Sequence, residues 1–336
     1  MEAIILSGGL GTRLRPLTYA RPKPLLPIAN RPMLAHLLDR LPEAVDRAVL
    51  AAGYRIDDIR AWVDENPHRV DVTVVEEEEP LGTGGAIKNV EDEITGPFLC
   101  FNGDVIANPP LEEMIELREE TDALGVLALW EVDEPEHFGV VDLDRDRIRR
   151  FVEKPDPGQA PSSLVNAGTY CFHEDVLDWI EPGRKVSLER EIFPELLETR
   201  EGLRGLPFEG HWVDCGRPDV YLDAHEILLE GETLVADTAT LDGEGSDWAC
   251  LGEDARVSAG ARLSRSVLLE GAEVEAGAHL ENTIVGAGAR VGKDAHLVDT
   301  VVADGLTVEA GSDLDGARVG GGKQTPPEEA RFEEVR

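Results

Sequence analysis

The residues best equipped for chemistry stand at the start of the chain. They run Leu6-Ser7-Gly8-Gly9-Leu10-Gly11-Thr12-Arg13-Leu14-Arg15-Pro16-Leu17-Thr18, followed by Arg21-Pro22-Lys23-Pro24. Clustered glycines let backbone N–H groups approach phosphate oxygens without a Cβ in the way. Arg13 adds a planar fork of donors and Lys23 a point charge, a combination that suits a triphosphate. A glycine loop alone is more often a plain turn, yet two cations at fixed offsets behind a strand-ending loop favour phosphate. The loop is no dinucleotide fingerprint, because Leu14 takes the third glycine's place, and no P-loop, because no Gly-Lys-Ser/Thr follows. Leu6, Gly8, Gly9, Gly11, Thr12 and Arg13 are the nucleotide-binding candidates, with Arg13 and Lys23 as catalytic cations.

Carboxylates come next. Asp104 closes Phe101-Asn102-Gly103-Asp104, and Asp214 sits in Trp212-Val213-Asp214-Cys215-Gly216-Arg217-Pro218. A lone aspartate at a strand end is usually a turn former or helix cap. Two of them, each in a tight glycine turn, make a reasonable Mg²⁺ site, because Mg²⁺ takes one or two carboxylates plus phosphate oxygens and water. Glu153-Lys154 could be an ordinary surface charge pair contributing less than ~1 kcal/mol. Against that, the chain has only six lysines, and Lys23 and Lys154 both fall in such motifs.

The first stretch resembles the signature G-G-x-G-T-R-L-x-P-L-T-x(n)-P-K-P of the sugar-1-phosphate nucleotidyltransferases, with Ser7 where that family usually has alanine. Leu81-Gly82-Thr83-Gly84-Gly85-Ala86 resembles the family's base-reading loop, with Gly85 where alanine is commoner, a lost methyl that would loosen the loop. The resemblance implies that Gly82 and Thr83 meet the nucleotide and that Asp104 and Asp214 hold the metal. It also implies that Glu153 binds sugar hydroxyls and that Lys154 binds the sugar phosphate as a catalytic cation. Asn166 of Asn166-Ala167-Gly168 would join them at the sugar, and Gly139 would approach it through backbone. The run Val186-Ser187-Leu188-Glu189-Arg190-Glu191-Ile192-Phe193-Pro194 is similar to that of mannose-1-phosphate guanylyltransferases, which points to GTP and mannose 1-phosphate. Glucose-1-phosphate thymidylyl- and uridylyltransferases look alike there and stay as alternatives. The implied reaction is attack by a sugar-phosphate oxygen on the α-phosphorus, releasing pyrophosphate.

Two rival readings remain. A regulatory relative would bind sugar nucleotides without turnover, which intact Arg13, Lys23, Asp104 and Asp214 argue against. A bifunctional enzyme would add acyl transfer through His279 and His296, which share an outward column with Arg262 and Asp313 that reads more simply as a solvated face.

These residues need a scaffold. Ala3–Leu6, Ala48–Ala52, Val70–Val75 and Pro97–Phe101 read as buried strands, with helical spacing over Met33–Leu41 and Ile56–Val63. That alternation predicts an α/β, Rossmann-like, mainly parallel sheet with ligands at the carboxyl ends of its strands. Farther on, Leu251, Leu268, Val285, Val302 and Val319 are 17 residues apart, as are Val257, Val274, Val291 and Val308, and Leu263, Leu280, Leu297 and Leu314. Small residues two positions earlier complete the pattern of a left-handed parallel β-helix built from hexapeptide repeats, one corner shortened. The expected domains are a catalytic domain over 1–230, a linker over 231–247, the β-helix over 248–322 and a polar tail over 323–336. On this reading the chemistry stays in the first domain and the flat faces of the prism support a homo-oligomer.

Charge bounds the rest. The chain has 68 acidic and 32 basic residues among 336, a net of −36. Such a surface repels nucleic acid. No apolar run approaches the ~20 residues that span a bilayer, and no secretory signal is read, so a cytoplasmic, reduced setting with four free cysteines is expected. The acidic, lysine-poor balance is that of a protein solvated for high salt, where screening relieves self-repulsion. The melting temperature should therefore climb as KCl rises into the molar range; a flat or falling profile in calorimetry would remove that reading.

Overall fold

The computed structural model describes residues 1–320, so the expected tail and the last two positions of the expected β-helix lie outside the described residues. The described residues group into two compact units, 1–9 with 37–212 and 10–36 with 213–320.

In the first unit the four short apolar runs become strands, as their spacing predicts. They are β1 Glu2–Ser7, β2 Arg47–Ala52, β3 Asp71–Glu76 and β4 Phe98–Asn102. Further along come β5 Gly125–Glu131, β6 Gly139–Asp144, β7 Arg147–Glu153, β8 Leu164–Phe172 and β9 Leu203–Pro207. Among the described residues these nine form one sheet in the order β3-β2-β1-β4-β8-β5-β9-β7-β6. Strands β1 to β4 are mutually parallel, and in the whole sheet only β7 and β8 run against the rest. Parallel strands covered on both faces are apolar throughout, which is why β1 and β2 read as unbroken buried runs rather than alternating ones. Helix α1 Ile56–Glu65 buries Ile56 and Ile59 and places Asp57 and Asp58 in its first turn, where the helix dipole favours negative charge. Tyr170, Phe172 and Phe193 stack in the core, and burial leaves the Cys100 and Cys171 thiols protonated, the latter pushed up to about 12.

The second unit is built on the 17-residue repeat. Leu251, Leu268, Val285, Val302 and Val319 pair in parallel register. So do the Val257 and Leu263 columns. Their side chains, with Ala255, Ala261, Ala272, Ala278, Ala289 and Ala295 between them, fill one apolar interior. The coils begin earlier than the sequence suggested. Leu234 pairs with Cys250, Leu241 with Val257 and Gly245 with Leu263, so the stretch expected as a linker carries strands of the β-helix. Its acidic, small residues hide the period: Gly245 stands where later coils carry leucine.

Helix α2 Pro218–Leu229 packs beside these coils. Pro218 starts it, where a missing N–H costs nothing, and Tyr221, Leu222, Ala224 and His225 are buried. The His225 ring lies edge-on to Tyr221 and parallel to Trp248; burial pushes its pKa down to about 4, so it packs as a neutral aromatic. Among the described residues no helix is long and apolar enough to cross a membrane. Because the aliphatic columns are the whole interior, Leu280→Ala should cost about 2–5 kcal/mol of unfolding free energy. Denaturant titration measures it, and a loss below ~1 kcal/mol would mean the column is not close-packed.

Candidate active site

In the first unit the candidate residues collect at the carboxyl ends of the strands. Leu6 is the last residue but one of β1, and its carbonyl accepts from Gly103 N–H at 2.9 Å. A Cβ on Gly103 would lie 2.8 Å from both Leu6 O and Ser7 Oγ, so only glycine lets the two strand ends close up. Asp104 follows in that turn. Ser7 Oγ and Asn102 Oδ1, both buried here, have no hydrogen-bond partner among the described residues. Orphaned buried oxygens two positions before Asp104 and at the facing end of β1 fit a cation with its water shell.

Gly8 shows what else is near. A Cβ there would collide with the Glu77 carboxylate, which is 4% exposed and accepts from Leu81 N–H at 2.6 Å. Burial raises the Glu77 pKa, against the opposing pull of the Leu81 N–H. Sequence reading passed over this residue. It is one of four consecutive glutamates, Glu76 to Glu79, and only packing selects it.

The Gly82–Ala86 stretch opens a helix over Gly82–Asn89 that leans on the backbone of Val186. Gly84 N–H and Gly85 N–H donate to Val186 O at 2.9 and 3.2 Å. Gly82 has φ of +70°, and its Cβ would sit 2.7 Å from Val186 O. Gly85 was expected to loosen the loop. Instead, a Cβ there would stand 2.7 Å from Arg184 O and 2.9 Å from Leu81 Cβ, so the missing methyl is what permits tight closure. Thr83 is tied in as well: its hydroxyl donates to Glu189 Oε2 at 2.8 Å and accepts from Leu188 N–H at 2.9 Å.

Glu189 belongs to a turn of π-helix over Leu188–Ile192, a rare geometry enriched at functional sites. It also accepts from Ser187 Oγ at 2.7 Å. Across from it lie the sugar candidates. Gly139 pairs with Glu153 in register, and a Cβ on Gly139 would be 3.0 Å from Glu153 Oε2. The neighbouring Val140 pairs with Val165, which brings Asn166 alongside. Asn166 Nδ2 donates to Tyr170 OH at 2.8 Å, and the register shift between Asn166 and Tyr170 is a bulge that turns the strand there. Lys154 follows Glu153 with φ of +49°, left-handed backbone that a lysine adopts only under constraint, and Phe138 O pins its N–H at 2.9 Å. Lys154 Nζ is 3.7 Å from Glu153 Oε1, with the lysine 59% exposed and the glutamate 18%. Gly139, Glu153, Lys154 and Asn166 are thus brought together on three adjacent strands.

In the second unit Gly11 has φ of +61°, and a Cβ on it would stand 2.7 Å from Thr18 Cγ2 and 3.3 Å from Lys23 Cβ. Thr18 Oγ1 donates to Gly11 O at 3.0 Å, and Leu14 N–H to the same carbonyl at 2.9 Å, folding Thr12 and Arg13 into a single 3₁₀ turn. Lys23 lies in the next such turn but one, 6% exposed, between Pro22 and Pro24. The Arg13 guanidinium covers Gly216, where a Cβ would be 2.5 Å from its Nη2. Gly216 N–H donates to Asp214 O at 2.6 Å. The structure therefore gathers Gly11 with Lys23, and Arg13 with the turn that carries Asp214. Among the described residues, no group of three or more His, Cys, Asp or Glu side chains is placed to hold a metal ion.

Burial and then the negative charge of Glu189 raise the Glu153 pKa, while Lys154 and Arg190 pull it down. Glu189→Gln should therefore lower it. The Glu153 carboxyl ¹³C titration reads this directly; an unmoved midpoint would mean the two carboxylates do not feel each other.

Comparison with known proteins places the chain in a family. The Nucleotidyl transferase family matches residues 2–231, and the GMPPB C-terminal domain matches residues 227–326. Mannose-1-phosphate guanylyltransferase 1 of Arabidopsis thaliana is 35% identical over 301 residues, covering 80% of this chain and 81% of that protein. Mannose-1-phosphate guanylyltransferase of Mycobacterium tuberculosis is 36% identical, over 78% of this chain and 73% of its own. Among solved structures, HddC from Yersinia pseudotuberculosis complexed with GMP-PN is 30% identical with a TM-score of 0.56, covering 68% of this chain and 99% of that one. On that family match and these identities, the chain belongs to the sugar-1-phosphate nucleotidyltransferases.

Proposed function

We propose that the protein transfers a guanylyl group from GTP to mannose 1-phosphate, forming GDP-mannose and pyrophosphate. The names of its relatives support the reaction, and one feature of this chain carries the choice of base. Glu77 offers a buried carboxylate beside the glycine loop. Guanine presents two adjacent donors, N1–H and N2–H₂, which a carboxylate accepts together. Uracil and thymine flank a single N–H with carbonyls, and adenine sets an acceptor beside its amino group, so each leaves a carboxylate oxygen facing an acceptor.

The sugar-phosphate oxygen attacks the α-phosphorus in line; that P–O bond forms as the bond to the β-phosphate oxygen breaks, and pyrophosphate leaves with the electron pair. The nucleophile is already anionic, so no general base is needed and catalysis reduces to alignment and charge neutralisation. Backbone N–H groups of Gly8, Gly9, Gly11 and Thr12 cradle the phosphates, while Arg13 and Lys23 take up charge on the departing pyrophosphate. Lys154 offsets repulsion at the sugar phosphate, and Glu153, Asn166 and the Gly139 backbone hold the sugar. Asp104 and Asp214 would hold Mg²⁺, which neutralises phosphate charge when bound.

Pyrophosphate release across four nucleoside triphosphates and several hexose 1-phosphates tests the reading. GTP with mannose 1-phosphate should give the highest kcat/KM, and Glu77→Gln should narrow the preference for GTP by about ten- to a hundredfold. Faster turnover of dTTP or UTP with glucose 1-phosphate would replace the proposal.

A further inference from the structure

The second unit joins the signature loop to the β-helix through contacts that the reaction as proposed does not use. Arg21 lies two residues before Lys23. Its Nη2 donates to Glu270 Oε1 at 2.8 Å and to Asp304 Oδ2 at 3.2 Å, while Nη1 reaches Glu270 Oε2 at 3.4 Å. Glu270 and Asp304 are 34 positions apart, two coils at one corner of the prism, with Ala287 between them in the column. Alanine leaves the gap that one guanidinium spans.

A second tether lies nine residues on. Asn30 Nδ2 donates to Leu251 O at 2.7 Å, and the Cys250 thiol donates to Asn30 Oδ1 at 3.3 Å. Tyr221 OH donates to Pro27 O as well. Between the tethers, Pro22 and Pro24 fix their own φ angles on either side of Lys23. Little rotational freedom therefore separates Arg21 from the lysine, and anchoring one end fixes the direction of the other. The ion pair is suited to salt. Its atoms are in contact, and the Arg21 and Asp304 side chains are each only 20% exposed, so counterions cannot easily replace the partners.

We infer that Arg21, forked between Glu270 and Asp304, is a positioning residue for nucleotidyl transfer, and that the β-helix is a working part of the phosphate-binding loop. This rests on Lys23 binding the triphosphate as proposed above.

The experiment uses the full chain in molar KCl and compares Arg21→Ala, Arg21→Lys, the double variant Glu270→Gln/Asp304→Asn, and Lys23→Ala. Arg21→Ala and the double variant should each lower kcat/KM for the triphosphate by about ten- to a hundredfold, the scale of a small misalignment. KM for the sugar 1-phosphate should stay put, and Arg21→Lys should recover part of the loss. Combining Arg21→Ala with the double variant should add nothing further, because one interaction has been removed from both sides. If both sets of variants melt lower yet turn over like the parent, or if their losses simply add, Arg21 is only structural and the inference is wrong. Lys23→Ala separates the premise from the inference. Full activity in that variant sinks the role given to Lys23, whereas a crippled Lys23→Ala beside an unimpaired Arg21→Ala sinks the clamp alone.

Discussion

Repulsion between negative charges is the constraint on which the rest of this molecule depends. A chain of net charge −36 must gather phosphates, which are themselves anions. On the proposed reaction it does so with a small number of cations, each fixed by local geometry rather than by number. Lys23 is held between two prolines in a tight turn and Arg13 is laid over a glycine. Lys154 is forced into left-handed backbone at a strand end.

Close approach is the second recurring device. Gly8, Gly82, Gly85, Gly103, Gly139 and Gly216 each sit where a Cβ would strike a carboxylate, a carbonyl, a ring or a guanidinium. In each case the lost side chain brings a polar group within reach of its neighbour, so the strand ends present a dense row of donors and acceptors. The π-turn at Leu188–Ile192 works to the same end by turning Glu189 onto the Thr83 hydroxyl. These hydrogen bonds tie the Gly82–Ala86 loop to the turn at Ser187–Leu188–Glu189.

How much of this could be read from the residues follows from what each signal requires. The β-helix was legible because seventeen-residue columns of aliphatics survive coil after coil, and the observed register repeats them pair for pair. Its first coil was not, because Gly245 and its acidic neighbours break the apolar column. The glycine loop, the cations and the paired strand-end aspartates announce themselves by residue type and spacing. Glu77 and Glu189 do not: a glutamate among glutamates has no mark, and burial or a hydroxyl partner is a fact of three dimensions. Gly85 was read for the methyl it lacks, while its reason is the Arg184 carbonyl, about a hundred residues away. The link from Arg21 to Glu270 and Asp304 spans still more of the chain, and residues 10–36 group with the β-helix rather than with residues 1–9.

The small residue at Ala287 has an implication for how this architecture can change over evolutionary time. Coiled prisms lengthen and shorten by whole coils, because a seventeen-residue duplication keeps every column in step. Between Glu270 and Asp304 that freedom is lost: one extra coil would carry the carboxylates out of reach of a single guanidinium, and one fewer would crowd them together. Among the described residues, no hydrogen bond of Arg21 falls beyond Asp304. Length drift in descendants of this chain is thus channelled to the distal end, leaving the stretch that faces Arg21 as a ruler of fixed size.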